Sequence, residues 1–304
     1  MSRPYHQGSL AVQTRVGVRD LADHVGRSIG QDIRRVAAAF LELQPLLVIG
    51  AQDEHGRVWS SLLTGAPGFV RATGPRSVAV AGGVKDGDPL AATLARAEDT
   101  PVGTIALDPR TRRRMRLNGT ARPSADGLAI AARQVFSNCP KYLQKRELYA
   151  PDDGAAARPG SVRRSDRLTP AQQEFVRAAD TFFIATVAPG HGADASHRGG
   201  NPGFVQVASP TELGWRDYAG NGMFLTLGNL EADARAGLLF LDWATGTTLQ
   251  LTGTARSAFT ATGRTVRFTV DGVLEHEGAS PLRWSAVPEY SPHNPEAAEV
   301  IEEG

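Results

Sequence analysis

The sequence predicts a mainly β (β+α) chain: two tandem barrel units with short flanking helices, related by a pseudo-twofold axis. Three observations predict it. Short apolar runs bounded by Gly, Pro, Asn and Asp turn signals dominate the 304 residues, as in antiparallel barrels. Pro67-Gly68-Phe69-Val70 returns 135 residues later as Pro202-Gly203-Phe204-Val205. Gly103, Leu107, Asp108, Thr111, Leu117, Gly119, Thr120 and Ala121 return 134 residues later as Gly237, Leu241, Asp242, Thr245, Leu251, Gly253, Thr254 and Ala255. Separate matches at nearly one offset mark duplication of a domain-sized unit, far longer than a solenoid repeat. Two fused copies pack like a homodimer within one chain. The expected division is an N-terminal arm (1–30), a first unit (31–149), a linker (150–168), a second unit (169–288) and a flexible tail (289–304).

In the arm, frequent glycines leave room for one short helix near Arg19 to Val25. Gln31 to Leu43 places Ile33, Val36, Ala37, Phe40 and Leu41 near helical spacing, and Pro45 ends it. Leu46 to Ala51 and Arg57 to Leu63 flank the turn signal Asp53-Glu54-His55-Gly56. A strand follows Phe69-Val70, and Ser77 to Ala81 is another. Asp88-Pro89 offers an N-cap and a first-turn proline for a helix to about Ala97. Val102 to Leu107 and Arg112 to Ala121 form the next strand pair, and Gly127 to Phe136 reads as helix. Ala150 to Arg167 lacks periodicity. Thr169-Pro170-Ala171-Gln172 carries a capping box for a helix to about Ala179. The strand Phe182 to Val187 is followed by a Gly- and His-rich loop, Pro189 to Gly200. Strands at Gly237 to Trp243, Thr248 to Phe259 and Thr265 to Leu274 complete the second unit.

Composition narrows the function classes. A formal charge of +1 gives no reason to expect a nucleic-acid or membrane surface. No apolar run approaches the roughly 20 residues of a membrane span. The first residues lack the apolar stretch of a secretory signal. Cys139 is the lone cysteine, which excludes an internal disulfide and suits a reducing cytoplasm. Neither a Walker A loop nor a Rossmann glycine fingerprint occurs.

Four stretches could carry chemistry. In the loop Ser196-His197-Arg198-Gly199-Gly200-Asn201, glycines permit close backbone approach, and arginine matches phosphate geometry; an ordinary surface loop is the competing reading. His191 and His197 lack a third partner at ligand spacing, so no metal is expected. Thr226-Leu227-Gly228-Asn229, where a strand passes into a helix, suits an anion or a plain N-cap. Lys141-Tyr142-Leu143-Gln144-Lys145-Arg146 combines three cations and a ring, and equally describes a solvated basic face. Arg110, Arg112, Arg114 and Arg116 alternate, so on a strand they would share a face, and anions or acids should answer them. Thr248 and Gln250 stand at the second-copy positions of Arg114 and Arg116, so the two half-sites have diverged. Cys139 has no neighbouring histidine to activate it as a nucleophile.

These residues resemble the pyridoxamine 5'-phosphate oxidase-like, FMN-binding split-barrel superfamily, in a bacterial branch with two fused split-barrel copies. The resemblance rests on Tyr5-His6-Gln7-Gly8, Asn138 to Arg146, Ser196 to Val205 and Gly222 to Asn229, and spans residues 5 to 288. It implies FMN between the barrels, with Thr226 at the end of the phosphate-binding strand and Arg114 at a flavin-contacting position. The implied cofactor set is Ser196, Arg198, Asn201, Thr226, Asn229, Gln250, Lys141, Tyr142, Arg114 and Arg116, with His197 as the candidate catalytic acid or base. The family's Ser-Arg-Lys cluster after the threonine is replaced here by Leu227-Gly228-Asn229. Arg198 and Lys141 are therefore the expected phosphate cations, and the departure counts against pyridoxamine phosphate as substrate. The implied function is a cytoplasmic FMN-dependent oxidoreductase acting by hydride transfer on a small molecule, with NAD(P)H or a protein as electron donor, and a homodimer as the expected assembly. A non-catalytic flavin or haem carrier and a deazaflavin-dependent reductase are the alternatives within the fold.

Overall fold

Alternating apolar residues place the strands in two antiparallel sheets in the computed structural model, which describes residues 4–149, 160–261 and 263–296. The first sheet holds β1 (Leu46–Gln52), β2 (Val58–Thr64), β3 (Val70–Gly74), β4 (Ser77–Ala81), β5 (Thr100–Asp108), β6 (Arg113–Ser124) and β7 (Gly127–Ser137), in the order β2-β1-β5-β6-β7-β4-β3. Two short strands follow, β8 (Leu148–Tyr149) and β9 (Val162–Ser165). The second sheet holds β10 (Thr181–Ala188), β11 (Gly192–Gly199), β12 (Val205–Ser209), β13 (Glu212–Arg216), β14 (Arg235–Leu241), β15 (Thr248–Thr260) and β16 (Gly263–His276). Its order is β11-β10-β14-β15-β16-β13-β12, with β9 paired to β16. The last strand, β17 (Arg283–Trp284), pairs with β8. Adding nine to each label of the first order generates the second, so the duplication read from twelve matched pairs of residues extends to the topology.

Irregularities repeat too. Pairing slips between Asn118 and Gly119 in β6 and between Thr252 and Gly253 in β15. A side chain at either glycine would collide with a carbonyl of the next strand, that of Ala131 or Thr269, so each bulge requires glycine. Glycines also let the units approach. A Cβ at Gly103 would strike the backbone of Asp194, and one at its counterpart Gly237 the backbone of Trp59. Each unit has its own apolar core, and a third cluster between them joins Val48, Leu62, Ile105 and Leu107 to Phe183 and Leu239.

The helices are α1 (Gln7–Val16), α2 (Arg19–Gly26), α3 (Arg35–Glu42), α4 (Ala91–Leu94), α5 (Pro170–Ala178) and α6 (Leu225–Ala232). Thr169 and Gln172 form the expected capping box on α5. Several expectations are corrected. Residues 4–30 are more than an arm with one helix, because α1 packs on α6: Gly8 lies against Gly228, and Gln13 Nε2 donates to the Met223 carbonyl at 2.8 Å. The stretch expected as helix from Gly127 is β7. Leu128, Ile130 and Ala132 are buried while Ala129, Ala131 and Arg133 are exposed, a period of two. The Gly- and His-rich loop is largely β11, paired along its length with β10. The helix from Asp88 is only α4, and the Asp88 carboxylate accepts from Ser61 Oγ and from Leu90 N ahead of it. The expected linker contains β9, and its residues 150–159 lie outside the described residues. Of the expected flexible tail, residues 289–296 are fastened through Ser291 N and Asn294 Nδ2, which donate to Gln144 Oε1; residues 297–304 lie outside the described residues.

Candidate functional site

At one end of the seam, β6 of the first unit faces β11 of the second. Arg114 and Arg116, two apart on a strand, point the same way, into the seam. Ser196, His197 and Arg198 reach it from β11, and Thr226 from the first turn of α6. Together they line a cavity of about 110 Å³. The segments holding Tyr142 and Tyr218 close over it. The two rings stand 5.1 Å apart, and Tyr142 Oη donates to the Ala219 carbonyl at 2.9 Å. Tyr142 and Phe224 adopt φ of 65° and 53°, left-handed values that side-chain-bearing residues hold at a cost of about 1–3 kcal/mol. The strain sits on the two segments that form the mouth.

The four alternating arginines do not share one face. β6 begins at Arg113, so Arg110 and Arg112 lie in the preceding turn. Arg110 pairs with Asp108, Arg112 with Glu289 and Arg116 with Asp194. Arg114 has no carboxylate among the described residues. Its Nη1 lies 2.7 Å from His197 Nδ1, its Nη2 donates to the Cys139 carbonyl at 2.7 Å, and its Nε has no partner. Burial, then repulsion from Arg198 and Arg116, pushes its pKa down to about 9. Burial also lowers Arg198, an effect that Asp217 partly offsets. The Arg198 Nη2 to Asp217 distance is 3.4 Å, and its Nη1 donates to Ser196 Oγ at 2.8 Å. His197 is held well below the ordinary histidine range by burial, then by Arg114 and Arg198. A partly enclosed cluster of cations with one acid and several hydroxyls is chemically a receptor for an anion.

The structure thus brings together Arg114, Arg116, Lys141, Tyr142, Ser196, His197, Arg198 and Thr226. It separates three others. Asn201 Nδ2 donates to the Pro295 carbonyl, anchoring the tail. Asn229 donates to Thr186 Oγ1 and bonds His6 Nε2 in a neighbouring cavity. Gln250 lies at the opposite seam, because β15 packs against β2 across the two units and its side chain reaches Ser60 and Ser61. Thr226 follows a loop and not a strand, since 217–224 has no sheet partner. Of the basic run, Lys145 turns to Glu289 and Arg146 to the buried Asp180. Two site residues escaped the sequence reading. Asp194, which neutralises Arg116, would have been found had 192–199 been taken as a strand. Asp217, which faces Arg198, carries no local signal. Among the described residues no group of three or more His, Cys, Asp and Glu is placed to hold a metal.

The opposite, pseudo-equivalent seam is built differently. Thr248 and Gln250 replace Arg114 and Arg116, and Ser61 and Leu62 replace Ser196 and His197. Gln250 Nε2 donates to the Ser60 carbonyl and Ser61 Oγ at 3.0 Å and to Asp88 Oδ2 at 3.1 Å. Arg164 of β9 bonds the Gly87 carbonyl above it. One seam is a cationic receptor, and the other is sealed by internal hydrogen bonds.

A duplicated, mainly β fold with an anion receptor between its units defines the class. Residues 168–289, which contain β10 to β16 of the second sheet, match the family described as Pyridoxamine 5'-phosphate oxidase. The match places the second unit in a pyridoxamine 5'-phosphate oxidase-like family, and the first unit repeats the matched topology strand for strand. Among solved structures, a candidate pyridoxamine 5'-phosphate oxidase from Lactobacillus delbrueckii is similar at 16% identity, over 36% of this chain and 94% of that one, with a TM-score of 0.30. HupZ of Group A Streptococcus is similar at 10% identity over 36% and 98%, TM-score 0.30. A Clostridium acetobutylicum protein related to general stress protein 26 of the pyridoxinephosphate oxidase family is similar at 10% over 37% and 89%, TM-score 0.27. No curated protein matches the chain. No helix among the described residues is long and apolar enough to cross a membrane.

Proposed function

We propose that the chain is an FMN-dependent oxidoreductase that binds one flavin at the cationic seam and acts on a small molecule. The observation that carries this reading is Arg114, a half-buried guanidinium whose enclosed Nε has no partner and which has no carboxylate partner among the described residues. An uncompensated buried charge is costly, and a phosphate answers it. The donor set fits that end of FMN: Arg114 and Arg198 supply charge, Ser196 and Thr226 supply hydroxyls, and Lys141 stands at the wall. The cavity of about 110 Å³ is smaller than the ~300 Å³ lower range of ligand pockets. The Tyr142–Tyr218 closure therefore has to part to admit the ring.

FMN when bound supplies hydride exchange at its ring system. The protein's own residues bind, orient and exclude water. His197 acts here as a hydrogen-bond donor and not as a base. A guanidinium only donates, so His197 Nδ1 accepts from Arg114 and the proton resides on Nε2. That Nε2 is buried and has no hydrogen-bond partner among the described residues. Asp194 keeps Arg116 paired, leaving Arg114 and Arg198 as the cations available to an anion.

Mass spectrometry of the ligand released from purified protein tests the reading, followed by reduction with NAD(P)H and reoxidation in air. FMN that turns over is the expected result. FMN that binds without turnover supports a carrier, haem in its place a haem carrier, and binding of deazaflavin alone the third member of the fold. Protein that neither carries nor takes up FMN ends the proposal.

A further inference from the structure

A groove on the first unit shares a wall with the seam cavity. Its volume of about 430 Å³ lies within the range of small-molecule sites, ~300–1,000 Å³. Strand β6 serves both spaces by alternation: Arg114 and Arg116 face the seam, while Arg113 and Met115 face α3. Phe40 and Met115 form an apolar floor, and Val36 stands 72% exposed at the rim.

The charges of this groove have one sign. Arg34, Arg112, Arg113 and Arg114 line it, and no Asp or Glu does. Arg112 is held by Glu289 and Arg114 by His197 and Cys139. Arg34 and Arg113 have no carboxylate partner among the described residues. The Arg113 guanidinium lies 5.2 Å from the centroid of the Phe40 ring, a flat cationic shelf over an aromatic one. At its inner end the groove meets Arg114 and Asn138, which also line the seam cavity.

We propose that this groove binds an amphipathic organic anion, an aromatic or branched apolar body bearing a carboxylate or sulfonate. The anionic group sits between Arg34 and Arg113, the apolar body covers Phe40, Met115 and Val36, and the inner end abuts Arg114 and Asn138. Binding follows from the groove alone. That the bound molecule is the substrate rests on the reading of the seam as the flavin site, because only the shared wall places the two side by side.

Fluorescence titration of the full chain with 1-anilinonaphthalene-8-sulfonate tests this, with the neutral N-phenyl-1-naphthylamine as control. The sulfonate is expected to bind about tenfold more tightly than the neutral dye, the scale of one charge-assisted hydrogen bond. Combined Arg34→Glu and Arg113→Glu substitution is expected to remove that preference. Both side chains are exposed and outside any ion pair, so circular dichroism should remain that of the wild type. Val36→Asp, which leaves both arginines in place, is expected to weaken both dyes. Wild-type sulfonate affinity in the double variant, or equal affinity for the two dyes in the wild type, overturns the proposal. FMN titrations run in parallel separate the readings: failure of FMN to bind the wild type sinks the seam and leaves the groove, whereas unchanged dye affinity in the double variant sinks the groove alone.

Discussion

Arg114 of the first unit and His197 of the second meet across the seam with Nη1 and Nδ1 2.7 Å apart. The contact fixes the charge of both. The guanidinium cannot accept, so the imidazole does, and it stays neutral beside a cation. One half of the molecule thereby sets the tautomer of a residue in the other.

Loss of either seam arginine should weaken cofactor binding, whether Arg114 with no carboxylate partner among the described residues or Arg198 beside Asp217. Arg114→Met and Arg198→Ala are each expected to reduce FMN affinity by about 1.5–3 kcal/mol, the scale of a hydrogen bond to a charged group. Quenching of flavin fluorescence on titration measures it. Wild-type affinity in either variant removes that residue from the site.

Histidine 197 should make the fold acid-sensitive. Its folded pKa lies well below the ordinary value near 6.5, mainly through burial. The unfolded chain therefore takes up a proton first, and stability falls as pH drops below about 6.5 until the folded pKa is reached. One such group contributes a slope of about 1.4 kcal/mol per pH unit. His6 and His276 are lowered as well and act in the same direction, whereas burial raises Asp88 and Asp180, which act oppositely. The difference between wild type and His197→Asn isolates the one group. Urea midpoints at pH 7 and pH 5.5 should converge in the variant, and parallel pH dependence in the two proteins would contradict the assignment.

The buried pair Arg116–Asp194 joins the units, with side chains 6% and 3% exposed. Removing one partner strands a charge, so Arg116→Met should cost about 3–5 kcal/mol. Replacing both, Arg116→Met with Asp194→Leu, should recover a large part of that loss. Chemical denaturation of the three variants checks it; strictly additive losses would show that the pair is not coupled.

Each chain should hold one flavin. Gln250, Ser61 and Asp88 occupy the seam equivalent to that of Arg114, Ser196 and His197, and no arginine enters from β15. Flavin absorbance against protein concentration should give a ratio near one, and a ratio near two would mean that the second seam opens.

The repeat at an offset of 134–135 residues revealed the duplication because backbone-demanding glycines recur wherever the topology demands them, as at Gly119 and Gly253. Eight of the eleven site candidates reached the cavity, since Arg, Ser, Thr and Lys in runs advertise anion binding without knowledge of the fold. Strand β7 was mistaken for helix because Ala-rich runs suit either element until a neighbouring sheet selects period two. Asn201, Asn229 and Gln250 lie away from that cavity because proximity along the chain does not say which seam a side chain faces.

What the sequence determined by itself was local and repetitive: a doubled β unit, its turns, the α5 cap and a stock of cationic side chains. The tertiary structure alone decided which arginines found acids. Arg110, Arg112 and Arg116 did, while Arg114 met only a histidine and a carbonyl. The reason is that charge compensation depends on distant residues, 177 positions apart for Arg112 and Glu289, and packing rather than spacing brings such residues together.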